Sequence, residues 1–301
     1  MKRNILLLFT FFACITVQGQ TPVRLVDLRS EHLDRPIGLD NPVPRLSWRM
    51  EDGRQGAVQT SWRIVVDEDS LNVANGCGRM WDSGKNDSRN LLVAYAGKKL
   101  QPFTRYYWKV ICSDMKYKET ASPVSYFETG MMGMQHWQGA WIGDGKDIHY
   151  GPAPYFRKEF KTGKKVKSAR AYIAAAGLYE LYINGEKVGD HCLAPLYTRF
   201  DRRNLYVAYD VTSQLQNGDN AIGVLLGNGW YNHQSKAVWD FDRAPWRNRP
   251  AFCLDLRITY TDGSVETIPT DLSCGQRRVQ SISVRCSSSS TTTPFPASAL
   301  I

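Results

Sequence analysis

The chain has 301 residues, of which 43% are hydrophobic and 22% charged, enough apolar material for folded cores and too much for a disordered polymer. Five of the nine excess positive charges are Lys2, Arg3, Arg277, Arg278 and Arg285, at the two ends of the chain. The +4 left between them, without clustered basic residues on a matching fold, excludes a nucleic-acid-binding class, and no later segment has the apolar length of a membrane span.

Residues 1–19 read as a secretory signal: Lys2 and Arg3, an apolar run from Ile5 to Cys14, then Val17-Gln18-Gly19 before a cut at Gln20. The expected location is secreted or periplasmic. Cys14 after Ala13 leaves a lipoprotein as the alternative, although Phe11 and Phe12 suit that cleavage poorly.

Residues 22–130 are expected to form a first β-sandwich. Arg45–Arg49 and Ser61–Val66 alternate with period two, and Leu91–Tyr95 and Ser125–Thr129 read as short strands. Leu100, Pro102, Thr104, Tyr106, Trp108 and Val110 are spaced by two throughout. This run resembles the fibronectin type III sandwich, which implies an anchoring corner tyrosine at Tyr106 and a core position for Trp108. Residues 131–150, with glycines at 133, 139, 143 and 145, predict a linker. In it Trp137 and Trp141 either staple the two domains or offer a sugar platform.

A second sandwich is expected over residues 151–272. Tyr155–Phe160 alternates. The run from Ser168 meets Asn184-Gly185, a turn dipeptide tolerant of φ > 0 at both positions, which would set Tyr182 opposite Lys187 and Leu181 opposite Val188. Ala221–Leu226 is apolar at every position and predicts a strand buried on both faces. Asp210–Leu215 suggests one helical turn capped by Asp210 or Thr212. Ala251–Tyr260 alternates, and Asp262-Gly263 turns it into Val265–Ile268. The basic run Lys158–Lys167 reads as a solvated strand edge. From Ser273 to residue 301 the composition turns to serine and threonine, predicting a disordered or frameshifted tail.

Seven cysteines show no CxxC spacing and five histidines are dispersed, so a zinc site is unsupported. The compartment would permit disulfides, but the scattered spacing of Cys77, Cys112, Cys192, Cys253, Cys274 and Cys286 predicts buried free thiols.

Four ordered blocks carry a specific resemblance: GLYELYINGEKVGD (177–190), APLYTRFDRR (194–203), YDVTSQL (209–215) and NAIGVLLGNGWY (220–231). Together they resemble the N-terminal β-sandwich module of bacterial α-L-rhamnosidases. The resemblance implies an all-β chain of two consecutive sandwiches, fibronectin type III-like and then jelly-roll or galactose-binding-like. It also implies that the full enzyme releases terminal α-L-rhamnose with inversion, using one acid and one base. The family's catalytic residues lie in a following (α/α) barrel that this chain does not reach, so none carries over and the chain alone is expected to be inactive. Where the family continues with a D-L-S-W phrase, Asp271-Leu272-Ser273 meets Cys274, which suggests a frameshift or truncation near residue 273.

Three readings remain open. The chain is an accessory, scaffolding or carbohydrate-binding region of such an enzyme, a free carbohydrate-binding protein, or a small enzyme of its own. A sugar site needs aromatic faces and hydrogen-bonding side chains on a rigid frame. Trp230, Tyr231 and Asn228 after the buried strand, with Trp239 and Asp240 in the next loop, are the candidates. Trp246, Asp242 and Asn248 lie nearby. The same aromatics would equally pack against the barrel that is the missing intramolecular partner. Glu180, Asp190, Asp201, Asp240 and Asp242 are the acids available to a glycosidase pair. Because some family modules resemble calcium-dependent rhamnose-binding domains, Asn184, Asp190 and Asn228 are the oxygen donors for a possible calcium; no other cofactor is expected. The expected partner is a rhamnose-containing glycan or glycoside, with no nucleic acid.

Overall fold

The computed structural model describes residues 23–116, 118–236 and 239–277, and divides into two compact units. The expected signal and residues 278–301 of the tail lie outside the described residues. No helix among the described residues is long and apolar enough to cross a membrane.

The first unit (residues 23–35, 43–98 and 106–126 of the described chain) is a β-sandwich. Its smaller sheet has the order β1 (Arg24–Ser30), β2 (Arg45–Glu51), β5 (Leu92–Ala94). The larger runs β4 (Trp81–Asp82), β3 (Gln59–Asp67), β6 (Arg105–Asp114), β7 (Glu119–Ala121), with β8 (Ser125–Glu128) also pairing β6. The period-two run holds: Tyr106, Trp108, Val110 and Cys112 all point into the core from β6. Trp48 from β2 meets Trp62 from β3 edge-on at 6.2 Å, and its Nε1 donates to Gln59 Oε1 at 2.9 Å, so the indole is buried without an orphaned donor.

The second unit (residues 36–42, 99–105 and 127 onward) carries two five-stranded sheets. One has the order β13 (Glu186–Lys187), β12 (Leu178–Ile183), β15 (Gly218–Gly227), β10 (Tyr155–Thr162), β18 (Gly275–Arg277). The other runs β14 (Tyr206–Asp210), β11 (Val166–Ala176), β16 (Ala251–Tyr260), β17 (Val265–Pro269), with β9 (Ile142–Gly143) on β16. The segment expected to be a linker thus supplies a strand. Phe156, Leu181, Ile222, Val224 and Leu226 of the first sheet and Ala171, Ile173, Leu254, Leu256 and Ile258 of the second form one core. Each large apolar side chain buried there stabilises the fold by about 1.5–3 kcal/mol before chain entropy is counted.

Asn184 and Gly185 have φ of 52° and 88°, and β12 pairs β13 through Tyr182 with Lys187, the expected register. The strand buried on both faces is β11 rather than β15. Ala169–Ala176 is buried throughout, whereas Ala221 and Leu225 of β15 are only half-buried. The reason is that the outer face of β11 is covered, with Tyr172 against Phe103 at 5.5 Å and Tyr206 at 6.1 Å. Outward-facing Leu225 packs against Tyr155 and Tyr182 and stays half-buried.

Two further expectations need correction. The compositional break at Ser273 does not end the sheet, because β18 pairs Gly275 with Arg157 and Arg277 with Tyr155. The thiols are not uniformly buried: Cys112 and Cys253 are, but Cys77 and Cys192 are exposed and Cys274 is half-buried. The turn after Val211 is a 3-10 turn over Thr212–Gln214, and Asp210 Oδ1 accepts the Thr212 N–H at 3.1 Å. The basic run is a solvated edge as expected, with Lys158, Lys161 and Lys164 paired to Asp271, Asp219 and Asp262.

One buried acid gives the second unit a pH dependence. Asp255 on β16 is 2% exposed and its Oδ2 accepts the Gln138 N–H at 2.9 Å. Burial raises its pKa, and the amides of Gln138 and Gly139 offset this only in part. Since the folded value lies above the unfolded one, this stabilising contribution is complete below the ordinary carboxylate range and is lost as pH rises through the folded value. The melting temperature of wild type relative to Asp255→Asn should therefore fall as pH rises above the ordinary carboxylate range of about 4. A difference that does not change with pH would refute this assignment.

Candidate functional site

Strand β15 stops at Gly227 because the next residues turn back under β12. Gly229 has φ of 50°, and a Cβ there would stand 2.8 Å from Leu178 Cγ, so the position takes glycine for conformation and space alike. The chain then forms a long loop to Ala251 that carries Trp230, Tyr231, Trp239, Phe241 and Trp246. A second loop, between β13 and β14, brings Tyr197 and Phe200.

These rings form one connected cluster. Phe241 is its hub, 5.4 Å from Trp230, 5.6 Å from Tyr197, 5.9 Å from Trp239 and 6.4 Å from Trp246. Phe200 closes the far side, 5.2 Å from Tyr231 and 5.7 Å from Tyr197. Each such contact adds about 0.5–1.5 kcal/mol beyond area burial. His233 stacks on Trp230 at 5.5 Å with planes 16° apart, covering one face of that indole. Trp230 is 44% exposed and Trp239 75%, so Trp239 holds the most open ring. Leu193 and Leu196, on the second loop, are also exposed.

The long loop is tied down from beneath. Asn232, fully buried, donates from Nδ2 to Ile148 O at 2.9 Å and to Asn228 Oδ1 at 3.1 Å. Its Oδ1 accepts from Arg247 Nε at 3.1 Å, and Arg247 Nη1 donates to Asp242 O at 3.0 Å. At the loop's end the Arg249 guanidinium grips Asp144 through Nε and Nη2, at 3.0 Å and 2.8 Å to Oδ2, with side chains 5% and 1% exposed. The remaining donors reach Tyr150 O at 2.7 Å and Pro152 O. The buried charges are therefore paired and their donors used, the condition under which such a pair is tolerated.

The structure brings the expected Trp230, Tyr231 and Trp239 together. Asn228 lies at the base of the loop and spends its Oδ1 on Asn232. Asp240 is exposed, with φ of 54°, and starts the 3-10 turn Phe241–Arg243. Tyr197, Phe200, Phe241 and His233 complete the cluster, while Asn232, Arg249 and Asp144 hold it. Tyr197 and Phe200 lie in a family-like block of sequence, but nothing local ties them to Trp230.

The calcium set fails. The Asn184 N–H bonds Ala221 O, and Asn228 lies seven residues further along the same extended chain, roughly 23 Å away at strand rise. One cation cannot reach both. Asn184 is also occupied, donating to Gln214 O and Asn220 Oδ1 and accepting from Ala221 N. No cluster of three or more metal-binding side chains occurs among the described residues. An open groove of about 610 Å³ beside Asn184, Gln216, Asp219 and Asn220 lies at this opposite end and contains no part of the aromatic cluster.

Two acids weighed for catalysis are engaged. Glu180 accepts from Lys187 Nζ and the Tyr182 hydroxyl, both at 2.7 Å. Burial would raise its pKa, but these two partners outweigh it and hold the carboxyl below its usual range. Asp201 pairs with Arg199 at 2.9 Å.

Comparison with known proteins gives consistent matches. Residues 25–133 match the family described as the Rha78A-like N-terminal immunoglobulin domain, and residues 164–285 match the alpha-L-rhamnosidase N-terminal domain. The second match runs past the compositional break at Ser273. An alpha-L-rhamnosidase of Formosa agariphila is 32% identical over 289 residues, covering 87% of this chain and 30% of that protein. The solved alpha-L-rhamnosidase from Dictyoglumus thermophilum is 35% identical with a TM-score of 0.77, covering 84% of this chain and 29% of its own. That from Aspergillus terreus is 28% identical with a TM-score of 0.74, covering 85% and 29%. The present chain spans about 30% of the length of the first two curated relatives.

Removing Arg249 would leave Asp144 buried and unpaired. Arg249→Ala should cost about 3–5 kcal/mol of stability in urea unfolding and weaken the near-ultraviolet dichroism of the tryptophan cluster. A loss below about 1 kcal/mol would show that the pair does not anchor the loop.

Proposed function

Since the chain belongs to the α-L-rhamnosidase family through its two N-terminal β-domains, we propose that it is a secreted accessory region that recognises rhamnose-containing glycans without cleaving them. The observation that carries this reading is Trp239, 75% exposed on a loop whose base is fixed by buried Asn232 and Arg249. An open indole face suits the C–H face of a pyranose, and a pre-fixed loop loses little conformational entropy on binding. In this reading Trp239 and Trp230 form the platform, and Asp240 accepts hydrogen bonds from sugar hydroxyls at its edge. Tyr231 is half-buried beneath, and Asn228 positions the loop through Asn232.

Hydrolysis needs two carboxyl groups held across the scissile bond, one protonated and one not. Glu180 sits between a lysine and a tyrosine with its pKa lowered, which disqualifies it as the acid. The bond-breaking step is assigned to other parts of the full enzyme.

A second reading also has an observation behind it. Strand β18 runs antiparallel to β10 toward Tyr155, the end of the sheet from which Asn228 and the aromatic loop emerge. In this reading the exposed rings serve as a packing face for other parts of the full enzyme.

Titration with L-rhamnose followed by tryptophan fluorescence separates the two. Saturable quenching at millimolar sugar in wild type, lost in Trp239→Ala and reduced in Trp230→Ala, is the expected result. No response at any accessible concentration would reject sugar recognition and leave the packing face. A chromogenic α-L-rhamnoside should not be turned over by the full chain; turnover abolished by Asp240→Ala would overturn the accessory reading.

A further inference from the structure

The two loops that bear the aromatic cluster, 191–205 and 228–249, contain seven basic residues and three acidic ones. Three of the basic side chains are committed: Arg249 to Asp144, Arg247 to Asn232 and Arg199 to Asp201. The other four, Arg202, Arg203, Lys236 and Arg243, are exposed, and none makes an ion pair among the described residues. Arg202 and Arg203 lie two and three residues after Phe200, and Arg243 closes the turn that begins at Phe241, so three exposed arginines share the two loops with the central rings of the cluster.

Lys158, Lys161, Lys164 and Lys187 are each neutralised by a partner acid. Lys165 and Lys167 are exposed and make no ion pair among the described residues either, so what sets the aromatic end apart is that its unpaired basic residues share their loops with exposed rings. Exposed arginines beside open indoles suit a ligand that offers an apolar ring face and a planar anion together, because the guanidinium fork matches a carboxylate bidentately.

We propose that the aromatic end of the second sandwich recognises an acidic saccharide, a rhamnoside joined to a uronic acid, with Trp239 under a pyranose ring and Arg202, Arg203 and Arg243 receiving the uronate carboxylate. The proposal rests on the sugar-recognition reading above and adds the charge of the ligand to it. The carboxylate is stabilised by charge–charge attraction and hydrogen bonding at an exposed site, so the gain is modest and salt-dependent.

The test compares a rhamnosyl-glucuronate disaccharide with its carboxyl-reduced rhamnosyl-glucose counterpart, titrated into the full chain. At low ionic strength the uronate should bind about tenfold tighter, and the advantage should fade toward about 0.5 M salt, where the Debye length is only a few ångströms. The triple variant Arg202→Gln, Arg203→Gln, Arg243→Gln should keep its melting temperature and its affinity for the neutral disaccharide while losing the preference. Equal binding of both disaccharides by wild type would reject the acidic ligand and leave sugar recognition standing. Binding of neither would reject both readings. Loss of neutral-sugar affinity in the triple variant, or a sulfated rhamnoside outbinding the uronate, would overturn the assignment of these arginines to a carboxylate.

Discussion

The ion pair of Arg249 with Asp144 is the constraint on which the shape of the aromatic end rests. It joins the start of β16 to the 144–152 segment, and the same segment receives Asn232 at Ile148 O. Two buried polar side chains thus tie one stretch of backbone to both ends of the long loop. Neither tie is a cheap surface contact: each holds groups whose exposure to the core without a partner would cost more than the bond contributes. The loop is therefore specified by what would be left unpaired if it moved. Apolar clustering alone would not choose one arrangement of so many similar rings.

A sandwich with this kind of end separates two jobs. The sheets supply burial, with Ile173, Leu254, Leu256 and Ile258 opposite Leu181, Ile222, Val224 and Leu226. The connections at one end supply exposed chemistry. Two of the open edges are short or charged: β13 has two residues, Glu186 and Lys187, and β10 beyond Arg157 carries Lys158, Glu159 and Lys161. Such edges resist pairing with other chains.

Much of the fold was legible in the sequence because its signals are local. Asn184-Gly185 announces a turn through its own backbone preference, and Tyr106, Trp108 and Val110 announce a core face through spacing alone. Ala221–Leu226 misled for the opposite reason. Whether an apolar strand face is covered depends on what lies over it, and the cover that exists, Phe103 and Tyr206, lies over Tyr172 of β11. The site was legible as residue types but not as partners. Trp230, Tyr231 and Trp239 share a loop and are neighbours in the chain, whereas Phe200 and Asp144 reach it from 30 or more residues away. The calcium set failed on distance, since residues from opposite ends of a sheet looked equivalent when only their oxygens were counted.

Gly229 sets a limit on how this loop can diversify. With Leu178 pressed against the place a side chain would occupy and a left-handed backbone besides, the hinge admits almost no substitution. Substitution is tolerated more readily further out, around 239–243 and on the 197–203 loop, where Trp239, Asp240, Tyr197 and Arg202 are exposed. Redesign of this exposed surface would randomise those tips and leave Gly229 in place, since a side chain there would displace the root of the loop.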